Sequence, residues 1–314
     1  MTSAQQAVPE SPEPPAGCPV TGGGPSRVGT LSEEQRRERA VATGGRPILD
    51  FDGERSPYVA YGEIDVLLSL QKPPSGTHDE MLFLMSGQLM ELMFKLMTHE
   101  LTEAKRRIAD DEIPAALLTF QRVTRVQELL VKGWDVVSTL SPAQFLGFRD
   151  HLGEASGFQS AGYRHLELLL GNKQPGMLGP HRGSPHTHTA LSAALAAPSL
   201  YDETIALLHR RGHPVAAEHL DRDLTRPYEP HSTVEQAWLE VYADQSPGND
   251  LFLLGEALIN LADLYRQWRY RHLIAVERVM GCKPGTGGTS GVEWLRRICE
   301  HLFFPELWSV RTQL

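Results

Sequence analysis

The chain has 314 residues and a formal net charge of −9, enough length for a sizeable core in one large or two ordinary domains. That charge disfavours a surface built to grip phosphate backbones. No apolar run approaches the ~20 residues of a membrane span, and no charged-then-apolar leader opens the chain, which predicts a cytoplasmic protein.

Residues 1–47 are rich in Pro, Gly, Ser and Glu and almost free of large apolar side chains. Burial there cannot offset ordering entropy, so they read as a disordered arm ahead of one folded domain over 48–314. Cys18-Pro19 falls in this arm and reads as linker, because a dipeptide is too short to specify a haem-sensing site. The three cysteines, Cys18, Cys282 and Cys299, show no paired spacing, which argues against a disulfide framework.

Tyr58-x-x-Tyr61 precedes a helical run, Ile64, Leu67, Leu68 and Leu70, which Pro73-Pro74-Ser75-Gly76 breaks. His78-Asp79-Glu80-Met81-Leu82-Phe83 then opens a long helix running through Met90, Phe94 and Met97 toward Leu101. Asp79 and Glu80 in its first turn suit the helix dipole, and its methionines read as core packing before they read as a cofactor wall. A further helix spans about Pro114 to Val137, with Phe120, Val123, Leu130 and Trp134 on one face. Ser141-Pro142 starts a short one carrying Phe145, Phe148, Arg149 and Leu152 and ending near Gly153.

After the small-residue turn Ala155–Ser160, a helix over Tyr163–Leu170 stops at Gly171. The segment 176–189 reads as a solvated surface loop, since His181, His186 and His188 lack carboxylate or thiolate companions for a metal. Helical patterning returns at Ala190–Leu208, Val234–Val241 and Leu254–Val279, and no stretch alternates as a strand. The predicted fold class is all-α, a helical bundle.

Three features could carry chemistry. His272 sits in the apolar stripe Leu258, Leu261, Tyr265, Trp268, Ala275 and Val279, while Asp263, Arg266, Arg269 and Glu277 fall to the polar face. A core histidine bonded to a backbone carbonyl is one reading; zinc would need further ligands and finds only Cys282 at the helix end. One axial imidazole is enough for haem. Arg149, on a mostly apolar helix, needs either a structural carboxylate or a substrate carboxylate to clamp. The loop Gly285–Gly291 lacks the Lys-Ser/Thr pair of a phosphate loop, but its glycines allow close backbone approach and Thr286 and Ser290 offer hydroxyls, as in a mobile lid.

Several motifs in register then point one way: His78-Asp79-Glu80-Met81-Leu82-Phe83, Phe148-Arg149-Asp150-x-Leu152-Gly153, Ala155-Ser156-Gly157-Phe158-Gln159-Ser160, Gln267-Trp268-Arg269-Tyr270-Arg271-His272, Lys283-x-Gly285-Thr286-Gly287-Gly288 and Phe303-Phe304-Pro305-Glu306-Leu307. Together, from about Tyr58 to Thr312, the chain resembles the tryptophan 2,3-dioxygenase family. The resemblance implies an all-α homotetramer with haem b, and His272 as the axial ligand of its iron. It puts Phe83 in the distal pocket beside haem and substrate, gives Arg149 and Thr286 the amino-acid carboxylate, and sets Leu152, Ser156 and Gly157 beside substrate and haem. Tyr58 and Tyr61 match tyrosines that a neighbouring subunit contributes.

Two positions depart from the family pattern. The histidine that faces the indole nitrogen in the family is Gly87 here, so no catalytic side chain is assigned there, and a position that is tyrosine in many bacterial members is Phe145. Two oxygenase outcomes follow. In one, both atoms of O2 enter L-tryptophan to give N-formylkynurenine. In the other, a monooxygenase of secondary metabolism uses an external reductant to make a 2-oxindole or hydroxylated product, and the space freed at Gly87 suits a substituted substrate such as β-methyltryptophan. A non-catalytic haem-binding sensor is the third possibility, against which the retained Arg149, Thr286 and lid argue.

Overall fold

Side-chain spacing explains most of the architecture. The structure, a computed structural model, describes residues 29–51 and 55–314, so Cys18-Pro19 lies outside the described residues. They fall into two units, one ending at Leu70 and the other running from Gln71 to Leu314.

The first unit holds α1 (Glu33–Ala42), α2 (Pro57–Gly62) and α3 (Ile64–Leu68), none of which buries a residue. Helix α1 lies inside the stretch expected to lack structure, which corrects that expectation for these residues. Its cause is local: Ser32 and Gln35 form a capping box, with Gln35 N–H donating to Ser32 Oγ at 3.1 Å and Ser32 N–H to Gln35 Oε1 at 2.9 Å.

In the second unit, α4 (Glu80–Ala109) buries Met90, Phe94, Met97, Leu101, Ala104 and Ile108 at alternating four- and three-residue steps. It runs two turns past the expected end, because the same stripe continues and no Gly or Pro stops it. Helix α5 (Ile113–Val137) returns against it, and α12 (Asp250–Met280) packs on α5. These three long helices hold the main core, in which each fully buried Leu or Phe contributes roughly 1.5–3 kcal/mol. Gln127 Nε2 donates to Leu261 O at 3.0 Å and fixes α5 against α12.

Shorter helices close the bundle: α6 (Pro142–Arg149), α7 (Ala161–Leu170), α8 (Pro185–Ala196), α9 (Leu200–Arg210), α10 (Ala217–Leu220), α11 (Ser232–Tyr242), α13 (Val292–Glu300) and α14 (Pro305–Ser309). No strand occurs among the described residues, in agreement with the expected all-α class. The single helix expected over 190–208 is two, since Pro198 cannot continue α8 and Ser199 caps α9 in a box with Asp202. The fully buried Lys173 spans the join, donating to the carbonyls of Ala194, Leu195 and Ala197 at 2.6, 3.1 and 2.7 Å. The expected solvated loop 176–189 is instead a 3₁₀ turn over Pro175–His181 leading into α8, and His181 is buried.

Candidate active site

The first half of α4, the end of α5, the turn after α6, α7, α12 and the loop before α13 enclose a cavity of about 750 Å³ with mostly apolar walls, within the range of small-molecule and cofactor sites. Helix α12 presents Trp268, His272, Ala275 and Val279 to it, one stripe at three- and four-residue steps. Helix α4 adds Phe83, Gly87, Met90 and Glu91.

His272 stacks flat on Trp134, with ring centroids 4.2 Å apart and planes 6° from parallel. The ring keeps some exposure because the cavity lies beside it, yet protein surrounds it closely enough that burial alone pushes its pKa down to about 4. No charge or hydrogen bond contributes to that shift, so the carbonyl-bonded core histidine does not describe this residue. At neutral pH it is a neutral imidazole with a free nitrogen lone pair on a cavity wall. The indole N–H groups of Trp134 and Trp268 are buried in the same wall without partners among the described residues.

Phe83 and Phe145 form a second wall with the fully buried Phe148. Their ring centroids are 5.7 Å (Phe83–Phe145), 5.5 Å (Phe83–Phe148) and 5.2 Å (Phe145–Phe148) apart. Leu152, Ser156 and Gly157 join this lining. At Gly87 an added Cβ would meet nothing within 4 Å, so the helix there faces open space.

The glycine-rich loop is drawn onto the turn after α6. Thr286 Oγ1 donates to Ala155 O at 2.6 Å, and a Cβ on Gly287 would stand 2.6 Å from Ser156 Cβ, an approach that only glycine permits. Arg149 serves the same join: its Nη2 donates to Pro284 O at 2.7 Å, and its Nε is buried without a partner among the described residues. Arg149 is not part of the cavity lining, and the carboxylate partner of the structural reading is not found for it among the described residues.

One charged group was misplaced by the sequence reading. Arg269, assigned to the polar face, is 3% exposed, four residues after Tyr265 and three before His272, which puts it on the buried stripe. Its Nη2 donates to Glu167 Oε1 at 2.8 Å, its Nε to Tyr163 OH at 3.1 Å and its Nη1 to the carbonyls of Ile298 and His301, both at 3.1 Å. Arg164 pairs with the other oxygen of Glu167. Arg164, Glu167 and Arg269 all reach the cavity lining. Tyr58 and Tyr61 lie on α2, 74% and 78% exposed.

A family model described as tryptophan 2,3-dioxygenase matches residues 45–314. The chain belongs to the tryptophan 2,3-dioxygenase family. Proteins named tryptophan 2,3-dioxygenase from Polaromonas sp. (strain JS666 / ATCC BAA-500) and Burkholderia pseudomallei (strain 668) are 48% and 47% identical to it, over 85% and 90% of this chain and 90% and 92% of theirs. One of the same name from Bacillus cereus (strain ZK / E33L) is 48% identical over 83% of this chain and 94% of its own.

Haem b, with its iron, is the cofactor of this tryptophan 2,3-dioxygenase family member, and the residues present fit it. His272, a neutral imidazole with no hydrogen-bond partner for its ring among the described residues, would serve as the one protein ligand that the iron requires. His301 also reaches the cavity lining, with its Nε2 buried and unpartnered among the described residues and its pKa pushed down to about 4 by burial. No helix is long and apolar enough to cross a membrane among the described residues.

Proposed function

We propose that this chain is a haem-dependent oxygenase that oxidises the indole ring of L-tryptophan at C2 and C3 with O2, giving N-formylkynurenine. The observation that carries the proposal is the neutral His272, its ring without a hydrogen-bond partner among the described residues, on the wall of the cavity that also takes in Phe83, Leu152, Ser156 and Thr286. His272 would hold the iron, and Gly157 and Phe83 would lie against the cofactor. Haem, when bound, supplies O2 binding and activation.

The remaining steps belong to the chain. Arg149 exchanges its bond to Pro284 O for the substrate carboxylate, and Thr286 adds its hydroxyl to the same group, so substrate binding and the position of the lid are coupled. The closed loop against Ser156 excludes water. Phe83, Phe145 and Leu152 hold the indole by apolar contact.

Assembly into a homotetramer, with Tyr58 and Tyr61 entering a neighbouring subunit's site, is part of the proposal. It is supported by the exposure of both tyrosines and by the exposed stripe Met85, Leu89, Leu92 and Leu96 along α4. Cytoplasmic placement is supported by Cys282 and Cys299, both free.

A second outcome is favoured by one observation, the open space at Gly87 in a cavity that the apolar Phe145 also lines. A substrate carrying an extra methyl, such as β-methyltryptophan, fits there, and an indole without a fixed hydrogen bond can yield a 2-oxindole. In that monooxygenation one oxygen atom enters the product and the other leaves as water, with two electrons and two protons from an external reductant. Mass spectrometry of products made from tryptophan and β-methyltryptophan under ¹⁸O₂, with and without reductant, decides. Two labels without reductant are the expected result. One label that depends on reductant overturns it in favour of the monooxygenase, and haem-loaded protein without turnover overturns both.

A further inference from the structure

Glu218 and His219 on α10 and His231 at the start of α11 bring three ligand-type atoms within 4.8 Å of one another, at residues that do not line the haem cavity. Both ring nitrogens of His219 are buried without a hydrogen-bond partner among the described residues. Leaving a buried polar atom unsatisfied is destabilising, so an imidazole with two such atoms calls for an occupant. The His231 ring stands 4.3 Å from it, tilted by 48°, and His231 Nε2 lies 3.1 Å from Glu218 Oε1.

We infer that Glu218, His219 and His231 form a second metal site, for a divalent ion of the Zn²⁺ class. Two imidazoles and one carboxylate are a donor set this class favours, and the exposed Glu218 leaves a solvent-facing position for water as the fourth ligand. The three ligand-type atoms thus already cluster within 4.8 Å of one another, around a centre to which donor distances of about 2.0–2.2 Å would apply.

The surroundings supply the supporting contact such sites use. His231 Nδ1 lies 2.9 Å from Thr233 Oγ1, so the tautomer that donates there leaves the Nε2 lone pair for the metal. It is chosen over the arrangement in which Nδ1 accepts the Thr233 N–H at 3.2 Å. The site closes the irregular segment between α10 and α11. That segment is tied elsewhere by Arg222 to Asp202 and by Tyr228 and the His231 N–H to Glu306. A bound ion therefore acts as a clip, holding this loop onto the bundle.

The test uses tag-free haem-loaded protein, stripped with chelator, equilibrated with ZnCl₂ and desalted. Zinc is counted by mass spectrometry against haem, with thermal midpoints recorded in parallel. Wild type is expected to retain one Zn²⁺ per haem and to melt higher with Zn²⁺. His219→Ala and Glu218→Gln are expected to weaken retention at least tenfold and to lose the shift. Glu218 is exposed, so Glu218→Gln preserves the fold even if His219→Ala does not. Less than one equivalent in wild type, or equal retention in wild type and Glu218→Gln, overturns the site and assigns the zinc to scattered surface histidines.

Discussion

Gly87→His puts an imidazole back at the position where the family resemblance expects one. The structure sets the cost. Gly87 lies within α4 with nothing within 4 Å of an added Cβ, so no neighbour obstructs the start of the side chain, and replacing a helical glycine gains a few tenths of a kcal/mol up to about 1. The side chain enters the cavity, where one neutral hydrogen bond to the indole N–H contributes about 1 kcal/mol, close to fivefold in kcat/KM. The same imidazole fills the space that an added methyl would use. Steady-state kinetics on tryptophan and β-methyltryptophan are therefore expected to show kcat/KM for tryptophan rising about fivefold and the preference for tryptophan rising further, at unchanged haem content. If kcat/KM for tryptophan stays level or falls in a folded, haem-replete variant, Gly87 does not face the indole and the reasoning is wrong.

Arg149→Ala removes a charge-assisted bond that contributes about 1.5–3 kcal/mol. The KM for tryptophan should rise by one to two orders of magnitude while turnover of tryptamine, which has no carboxylate, changes little; equal losses on both would reduce Arg149 to a tether for Pro284. Glu167→Ala leaves the buried guanidiniums of Arg164 and Arg269 without their shared carboxylate. Breaking such a pair costs about 3–5 kcal/mol, which in a chain of this size lowers the thermal midpoint by roughly 4–8 °C, and a loss under about 1 kcal/mol in chemical denaturation would contradict the assignment.

Long stripes were legible in the sequence because each buried position reports the same periodicity. Helices α4, α5 and α12 and the place of His272 followed from that alone. Features set by partners distant in sequence were not. Arg269 reads as polar until Glu167, about a hundred residues earlier, is known to meet it, although its spacing from Tyr265 and His272 was a usable signal. Helix α13 escaped notice because it is short and fully buries only Val292 and Cys299, its Trp294, Leu295 and Ile298 being interrupted by charged residues. Arg149 was recognisable as a cation in need of a partner, but that its partner is the Pro284 carbonyl depends on how the lid folds back. The cluster at Glu218, His219 and His231 spans two helices and shows no ligand spacing along the chain.

The most direct measurement is haem content, with the Soret spectrum, of wild type and His272→Ala purified side by side under haem-replete expression. His272 supports no hydrogen bond and no ion pair among the described residues, so its loss should leave the helical circular dichroism and the oligomeric state unchanged. One haem per chain in wild type and a small residual fraction in the variant, recovered toward the wild-type spectrum by added imidazole, is the predicted result. Full haem occupancy with an unaltered spectrum in His272→Ala would contradict the account.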